Sequence, residues 1–287
     1  MPNAKLDWKA VDESVAQALA EDLGGGDVTT AALIEPGQRG TGQLIAREPG
    51  VLAGTPVARR LLRRTDRRLR LSAALADGAV LRRGAVIGVV RGPLAPMLTA
   101  ERPLLNFLQQ LSGIATLTRR YVDAIAGTGA RLLDTRKTLP GWRRLAKYAV
   151  AVGGGTNHRM GLHDQFLIKD NHLAASGLTP AAAVAQARRN APKRMRIEVE
   201  VESVADARAA AQAGADIVML DNMSPARMRT AVTVVRAARP KTIVEASGHI
   251  TLRNVRAVAE TGVDWISVGA ITHSARALDI ALDMEAD

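Results

Sequence analysis

The chain has 287 residues, enough for about two domains or for one large α/β domain with an appendage. It contains no cysteine, which excludes a disulfide framework, a thiolate metal site and a thiol nucleophile. Hydrophobic residues make up 47% but aromatics only 2%, so any core must be built from Ala, Val, Leu and Ile; the formal net charge is +11.

The first stretch, MPNAKLDWKAVDESVAQALAEDLG, mixes charges with apolar residues and lacks the apolar core of a signal peptide. No run of about 18 apolar residues occurs anywhere, so no membrane span is predicted. A soluble, cytoplasmic protein is expected.

Residues 7–22 read as an amphipathic helix with Leu6, Val11, Val15, Leu19 and Leu23 on its inner side, stopped by Gly24, Gly25 and Gly26. Asp27 to Thr30 then supplies caps or turn bonds. Strand-like pieces are predicted at 43–47, 68–75 and 86–90 around a helix over 56–64, with Gly50, the Asp77-Gly78 pair and Gly84 as punctuation. That grammar suggests a small α+β layer domain. Arg59, Arg60, Arg63, Arg64, Arg67, Arg68 and Arg70 crowd this region. They read first as a solvated helix face and edge strand, and second as a polyanion patch; the shortage of aromatics to stack on bases weighs against nucleic acid.

Residues 97–127 are helical by pattern, with Leu98, Leu105, Leu108, Leu111 and Ile114 on one side. Pro103 and Gly113 predict two successive helices, and a domain boundary is placed near Ser112. Arg102 stands at the start of this region.

After Gly129 the grammar becomes strand, turn, helix. Strands are predicted at 131–135, 166–169, 196–201, 217–220, 242–246 and 265–268, with Ala-rich helices at 180–189, 204–213, 225–238 and 252–260. Such alternation implies right-handed βα units and a parallel sheet of about six strands, short of a full barrel's eight. The ends of those strands carry Asp134 with Arg136 and Lys137, Lys169 with Asp170, Glu200, Asp221 with Asn222, Glu245 with Ser247 and Gly248, and Gly269. Charged or small polar residues thus recur at the carboxyl end, where the loops of parallel α/β barrels build active sites.

Two charge classes emerge from these residues. Arg102, Arg136, Lys137, His158, Arg159 and Lys169 suit a multiply charged anion, since guanidinium forks match carboxylates and phosphates. Glu200 and Asp221 could hold Mg²⁺ through oxygen or water, or bind ribose hydroxyls. Together they suggest a phosphorylated sugar with a metal. The Ser247-Gly248 and Gly269-Ala270 turns each join a strand to a helix and offer backbone N–H groups to a phosphate. Gly153-Gly154-Gly155 is no nucleotide loop, because no GK[ST] comes after it. Zinc on His158, His163, His172, Asp164 and Asp170 matches no HExxH spacing, and Ser247 lacks a GxSxG elbow.

The segment DTRKTLPGWRRLAKYAVAVGGGTNHRMGLHDQFLIKDNH, residues 134–172, closely resembles the central signature of the quinolinate phosphoribosyltransferases. AEDLGGGDVTT, ERPLLNFLQQLSGIAT, IEVEVES, VMLDNMSP, VEASGHI and ISVGAITHS agree with it, so the resemblance spans nearly the whole chain. It implies transfer of a phosphoribosyl group from phosphoribosyl pyrophosphate to quinolinate with decarboxylation. Nicotinate mononucleotide, pyrophosphate and CO2 would be the products, with Mg²⁺ required, as a step of de novo NAD biosynthesis.

The fold so implied is α/β: an N-terminal α/β sandwich domain, 1–112, and an incomplete parallel barrel of six or seven strands, 113–273, with the tail 274–287 packed on the first. The family pattern also implies a homodimer or higher oligomer in which Arg102 reaches the partner's site. Arg136, His158, Arg159 and Lys169, with that Arg102, would grip the quinolinate carboxylates, and Lys137 would lie near the reacting groups and phosphates. Glu200 and Asp221 would take the ribose hydroxyls and Mg²⁺, while Ser247, Gly248, His249, Val268, Gly269 and Ala270 would line the 5′-phosphate, with Lys169 nearby. The chain departs from the family pattern at His249, where a second glycine is usual, at Leu139, where a Thr-like residue is usual, and at Pro103.

Overall fold

The computed structural model describes residues 5–192 and 194–287. In chain order its elements are α1 (Trp8–Leu23), α2 (Val28–Leu33), β1 (Arg39–Ala46), β2 (Gly50–Val51), α3 (Thr55–Thr65), β3 (Arg70–Ser72), β4 (Val80–Leu81), β5 (Val86–Pro93) and α4 (Leu94–Ala124). Then come β6 (Arg131–Leu133), α5 (Arg143–Val152), β7 (Phe166–Ile168), α6 (Asp170–Ser176), α7 (Pro180–Asn190), β8 (Ile197–Val201), α8 (Val204–Gln212) and β9 (Ile217–Asp221). The chain closes with α9 (Pro225–Ala238), β10 (Ile243–Ser247), α10 (Val255–Ala259), β11 (Trp265–Ser267), α11 (Ala270–His273) and β12 (Ile280–Ala286). No helix among the described residues is long and apolar enough to cross a membrane.

Two compact units result. The first combines the chain up to Arg119 with Thr138–Gly154 and Ile271–Asp287. Its main sheet is antiparallel, in the order β12-β1-β5-β3, with β2 and β4 as a separate pair. Helix α3 shows why the arginine run folds as it does: Val57, Ala58, Leu61 and Leu62 are buried, and helical spacing turns Arg59, Arg60, Arg63 and Arg64 outward. Arg60 is held by both oxygens of Asp12 at 2.6 Å, and Arg59 donates to the Leu71 carbonyl at 2.6 Å.

Helix α4 corrects the prediction of two successive helices. It runs without a break over 31 residues with Pro103 inside it. Proline costs a backbone hydrogen bond there, but Leu104, Leu105, Phe107, Leu108 and Leu111 are all buried on the following turns, and that packing holds the helix together. Gly113 is not a stop. A Cβ at this position would lie 2.1 Å from the Arg276 carbonyl oxygen, so glycine is required for the C-terminal segment to cross the helix closely. Helix α5 starts at Arg143 and not at Pro140, because Gly141 takes a left-handed φ of +76° and Trp142 stacks on Phe107 with ring centroids 5.1 Å apart.

The second unit, Arg120–Lys137 with Gly155–Ala270, is the βα layer. Its six parallel strands are ordered β6-β11-β10-β9-β8-β7. Beyond β6 a single parallel bridge from Thr156 to Leu133 adds the beginning of a seventh strand. The sheet is therefore an incomplete barrel. Side chains of Thr179, Ser203 and Ser224 cap α7, α8 and α9, with Pro180 and Pro225 at the first turns of α7 and α9. Ala183, Ala187, Ala207, Ala210, Ala211 and Ala231 form their buried faces, small enough for close packing in a core almost without aromatics.

Candidate active site

Alternation along the strands builds two layers at the carboxyl end of the sheet, since residues two apart share a face. Glu200, Asp221 and Ser247 lie at the ends of β8, β9 and β10, with Ser247 paired to Asp221 in register. Two residues earlier, one layer deeper, lie Glu198, Met219 and Glu245, and Ser267 lies beside Glu245 on β11.

The outer layer carries the predicted acidic pair. Lys169, the residue before α6, places its Nζ 2.6 Å from Glu200 Oε2. Burial, then the charge of Glu200, pushes the Asp221 carboxyl above its usual range, with Lys169 opposing. Asn222 Nδ2 donates to Asp221 Oδ2 at 2.5 Å, and the backbone N–H of Asn222 donates to the Ser247 carbonyl at 3.0 Å. The next turn is tight. Gly248 has φ +91°, and a Cβ there would come within 2.1 Å of Asn222 Oδ1. His249 has φ +51°, the left-handed region that favours glycine. Its exposed ring meets Asn222 Oδ1 through Nδ1 at 2.7 Å. Val268 is fixed by its N–H to the Leu133 carbonyl at 3.0 Å, which sets the path into Gly269 and Ala270.

The cationic side is assembled from β6. Asp134, wholly buried at the end of that strand, accepts from the His158 N–H at 2.8 Å and from Asn157 Nδ2 at 2.7 Å. The segment carrying His158 and Arg159 is thereby tied to the strand that leads into Arg136 and Lys137. Arg159 is buried; its guanidinium is pulled down first by that burial and next by the nearby charge of Arg136. Lys137 is exposed, with its N–H on Thr135 Oγ1 at 3.0 Å. Arg102 is an exposed residue of α4, in the first unit. His163 and His172 are also exposed, and neither joins His158 in a grouping of three metal-ligating side chains among the described residues.

Sequence reasoning placed Glu245 at a strand end but missed Glu198 and the deeper layer the two form. His158 Nε2 faces Glu198 Oε2 at 3.2 Å and Glu245 Oε2 at 3.5 Å, and both glutamates are 0% exposed. Gln165 Nε2 donates to Glu198 Oε2, and Ser267 Oγ donates to Glu245 Oε1 at 2.5 Å. Burial alone would strip the proton from His158, but the two glutamates facing Nε2 outweigh it and favour a proton on that nitrogen. Burial, then the charge of Glu245, pushes Glu198 up to about 7. The only hint in the sequence was the doubled acid in IEVEV, where Glu198 shares a face with Glu200.

Comparison with known proteins agrees along the whole chain. Residues 27–112 match the quinolinate phosphoribosyl transferase N-terminal domain and residues 114–283 match its C-terminal domain. The chain is 43% identical to the nicotinate-nucleotide pyrophosphorylase (carboxylating) of Mycobacterium leprae, over 97% of this chain and 98% of that one. It is 38% identical to quinolinate phosphoribosyltransferase (decarboxylating) 1 of Nicotiana glauca, over 94% and 81% respectively. The solved structure of the nicotinate-nucleotide pyrophosphorylase of Francisella tularensis superposes with a TM-score of 0.91 at 39% identity, covering 98% of each chain.

Proposed function

The chain belongs to the quinolinate phosphoribosyltransferase family, and we infer that it transfers the phosphoribosyl group of phosphoribosyl pyrophosphate to quinolinate with loss of CO2, forming nicotinate mononucleotide. The observation that carries this reading is the division of charge in the second unit. Arg136, His158 and Arg159 gather on the β6 side, and Glu200 and Asp221 stand at the ends of β8 and β9, with Lys169 between the classes on Glu200. A planar dicarboxylate fits the first group and a ribose with its phosphates fits the second.

In this reading Arg136, His158, Arg159 and Lys169 orient the two carboxylates so that the pyridine nitrogen faces the ribose carbon. That nitrogen forms its bond to C1′ as the bond from C1′ to the pyrophosphate oxygen breaks. Positive charge develops on the sugar, and Glu200 and Asp221 stabilise it. Lys137 meets the departing phosphates. Departure of the adjacent carboxylate as CO2 leaves its bonding pair on the ring carbon, where the neighbouring pyridinium charge stabilises it, and a proton then binds that pair. Ser247, Gly248, His249, Val268, Gly269 and Ala270 surround the 5′-phosphate.

Glu200 and Asp221 fit Mg²⁺. They are oxygen donors on neighbouring strands whose mutual repulsion already raises Asp221, and a cation relieves that repulsion. When bound, Mg²⁺ would neutralise charge on the pyrophosphate. The assay that decides the function supplies purified protein with Mg²⁺, phosphoribosyl pyrophosphate and quinolinate and measures CO2 release. Consumption of nicotinate with no CO2 from quinolinate would replace this reading with that of a related transferase.

We further propose a homodimer in which Arg102 completes the partner's carboxylate grip. Support comes from the open side of the barrel, where a cleft of about 740 Å3 beside β7 is lined by Phe166, Ile168 and Leu178 with Leu162, which is 74% exposed. Mixing inactive Arg102→Ala with inactive Lys137→Ala protein restores part of the activity if Arg102 acts across the interface; no recovery after verified subunit exchange refutes it.

A further inference from the structure

We propose that Glu198 and Glu245 are positioning residues that hold the His158 ring and the Arg159 side chain at the dicarboxylate end of the site. The proposal rests on reading His158 and Arg159 as part of the quinolinate grip. Its evidence is a closed circuit of contacts inside the second unit. Glu198 Oε2 faces His158 Nε2 at 3.2 Å and accepts from Gln165 Nε2. The Gln165 carbonyl accepts from Arg159 Nη1 at 3.2 Å, and the Arg159 N–H donates to His158 Nδ1 at 2.8 Å. Glu245 braces the ring from the neighbouring direction at 3.5 Å and is itself fixed by Ser267 at 2.5 Å. The circuit thus passes through both grip residues and is anchored on β8, β10 and β11.

Two simpler accounts fit less well. The three side chains have the composition of a metal site, since their ligand atoms lie within 4.8 Å of one another. However, Nδ1 already accepts the Arg159 N–H, so the ring proton sits on Nε2, and a protonated nitrogen cannot ligate a metal. A purely structural ion pair is the other account. Two carboxylates at 0% exposure are expensive, and well-packed apolar residues in such places are generally as stable or more so. Glu198 Oε1 is a buried atom with no hydrogen bond of its own, which a stability device would not leave. What the pair does supply is direction. It takes the Nε2 proton, fixes the tautomer, and leaves Nδ1 to pin the backbone at Arg159.

The test compares wild type with Glu198→Gln and Glu245→Gln, which keep shape and remove the carboxylate. Steady-state kinetics are expected to show the KM for quinolinate raised about tenfold or more, in the range seen when supporting partners of a site are removed, with the KM for phosphoribosyl pyrophosphate within about twofold. Equal changes in both, or a loss of kcat alone, overturn the proposal. A second readout needs no turnover: ¹⁵N spectra of the ring, tractable with five histidines in the chain. A proton on Nε2 only, lost from its fixed position in both variants, is expected. A wild-type ring with no preferred nitrogen, or one unmoved in the variants, overturns the positioning role. Wild-type protein that leaves quinolinate untouched defeats the functional reading, and the ring spectra then decide the positioning separately. Should Glu198→Gln fail to fold, Gln165→Met breaks the same circuit at its half-buried member and carries the same expectation.

Discussion

Replacing Asp134 by Ala tests how the cationic half of the site is tied to the barrel. The carboxylate is completely buried and accepts from the His158 N–H at 2.8 Å and Asn157 Nδ2 at 2.7 Å. A hydrogen bond to a charged group contributes about 1.5–3 kcal/mol, and a donor left unsatisfied in the interior costs about 1–3 kcal/mol. Loss of both bonds with partial rescue by water therefore amounts to about 3–4 kcal/mol. Asp134→Asn keeps the acceptor for the backbone N–H, and a flip of the Asn157 amide restores the second bond, so only the charge is lost, about 1 kcal/mol. Urea unfolding followed by Trp265, which lies on β11 of the same unit, measures the difference. The Ala variant is also expected to raise the KM for quinolinate, because His158 and Arg159 lose their anchor. An Ala variant within about 0.5 kcal/mol of wild type, or an Asn variant as damaged as Ala, refutes the reasoning.

Three further outcomes rest on particular contacts. Gly113→Ala is expected to destabilise by about 2 kcal/mol or more, although a helix interior ordinarily gains from this change, because the added Cβ meets the Arg276 carbonyl at 2.1 Å; a rise in melting temperature contradicts it. Gly248→Ala combines a 2.1 Å approach to Asn222 Oδ1 with φ +91°, and is expected to raise the KM for phosphoribosyl pyrophosphate well above its effect on quinolinate; equal effects contradict that. Stability is expected to fall as pH rises from about 4.5 to 7. The folded cluster binds protons more tightly than the unfolded chain, Glu198 with a pKa of about 7 against 4.5. Such a contribution is complete below the unfolded value and lost as pH climbs through the folded one. Melting curves across that range check it: wild type declines, the Glu198→Gln/Glu245→Gln double variant declines less, and a flat wild-type profile refutes the linkage.

Much of the fold was legible because its signals are local. Helix α9 occupies the predicted residues 225–238, and the six strands of the second unit fall within two residues of their predicted limits, since apolar runs bounded by Pro, Gly and capping Ser report backbone preferences directly. Pro103 and Gly113 were misread for the complementary reason. Each carries a local rule that favours a break, and each is overruled by packing from distant sequence, the leucines around α4 and the C-terminal segment at Arg276. At the site, the mouth residues Lys169, Glu200, Asp221 and Ser247 could be found because each stands where an apolar strand gives way to its loop. Glu198 could not, and Glu245 was found at a strand end without its place beneath the histidine, because an acid beside valine on a strand looks the same whether it faces water or a barrel interior.

The sequence by itself determined the strands of the second unit and the helices between the later ones, the absence of any thiol chemistry, and, through residues 134–172, the family. These rest on periodicity, composition and a long uninterrupted motif, all of which are properties of neighbouring residues. Only the tertiary structure decided that α4 is one helix, that Asp134 anchors the segment of His158 and Arg159, and that two glutamates lie sealed beneath the histidine. Those facts depend on the register of six parallel strands and on the sheet bringing Glu198 of β8 and Glu245 of β10 to His158, at 3.2 and 3.5 Å, and Ser267 of β11 to Glu245. Hydrogen bonds and burial at that range are set by closure between residues as far apart as Asp134 and Ser267, which no local pattern records.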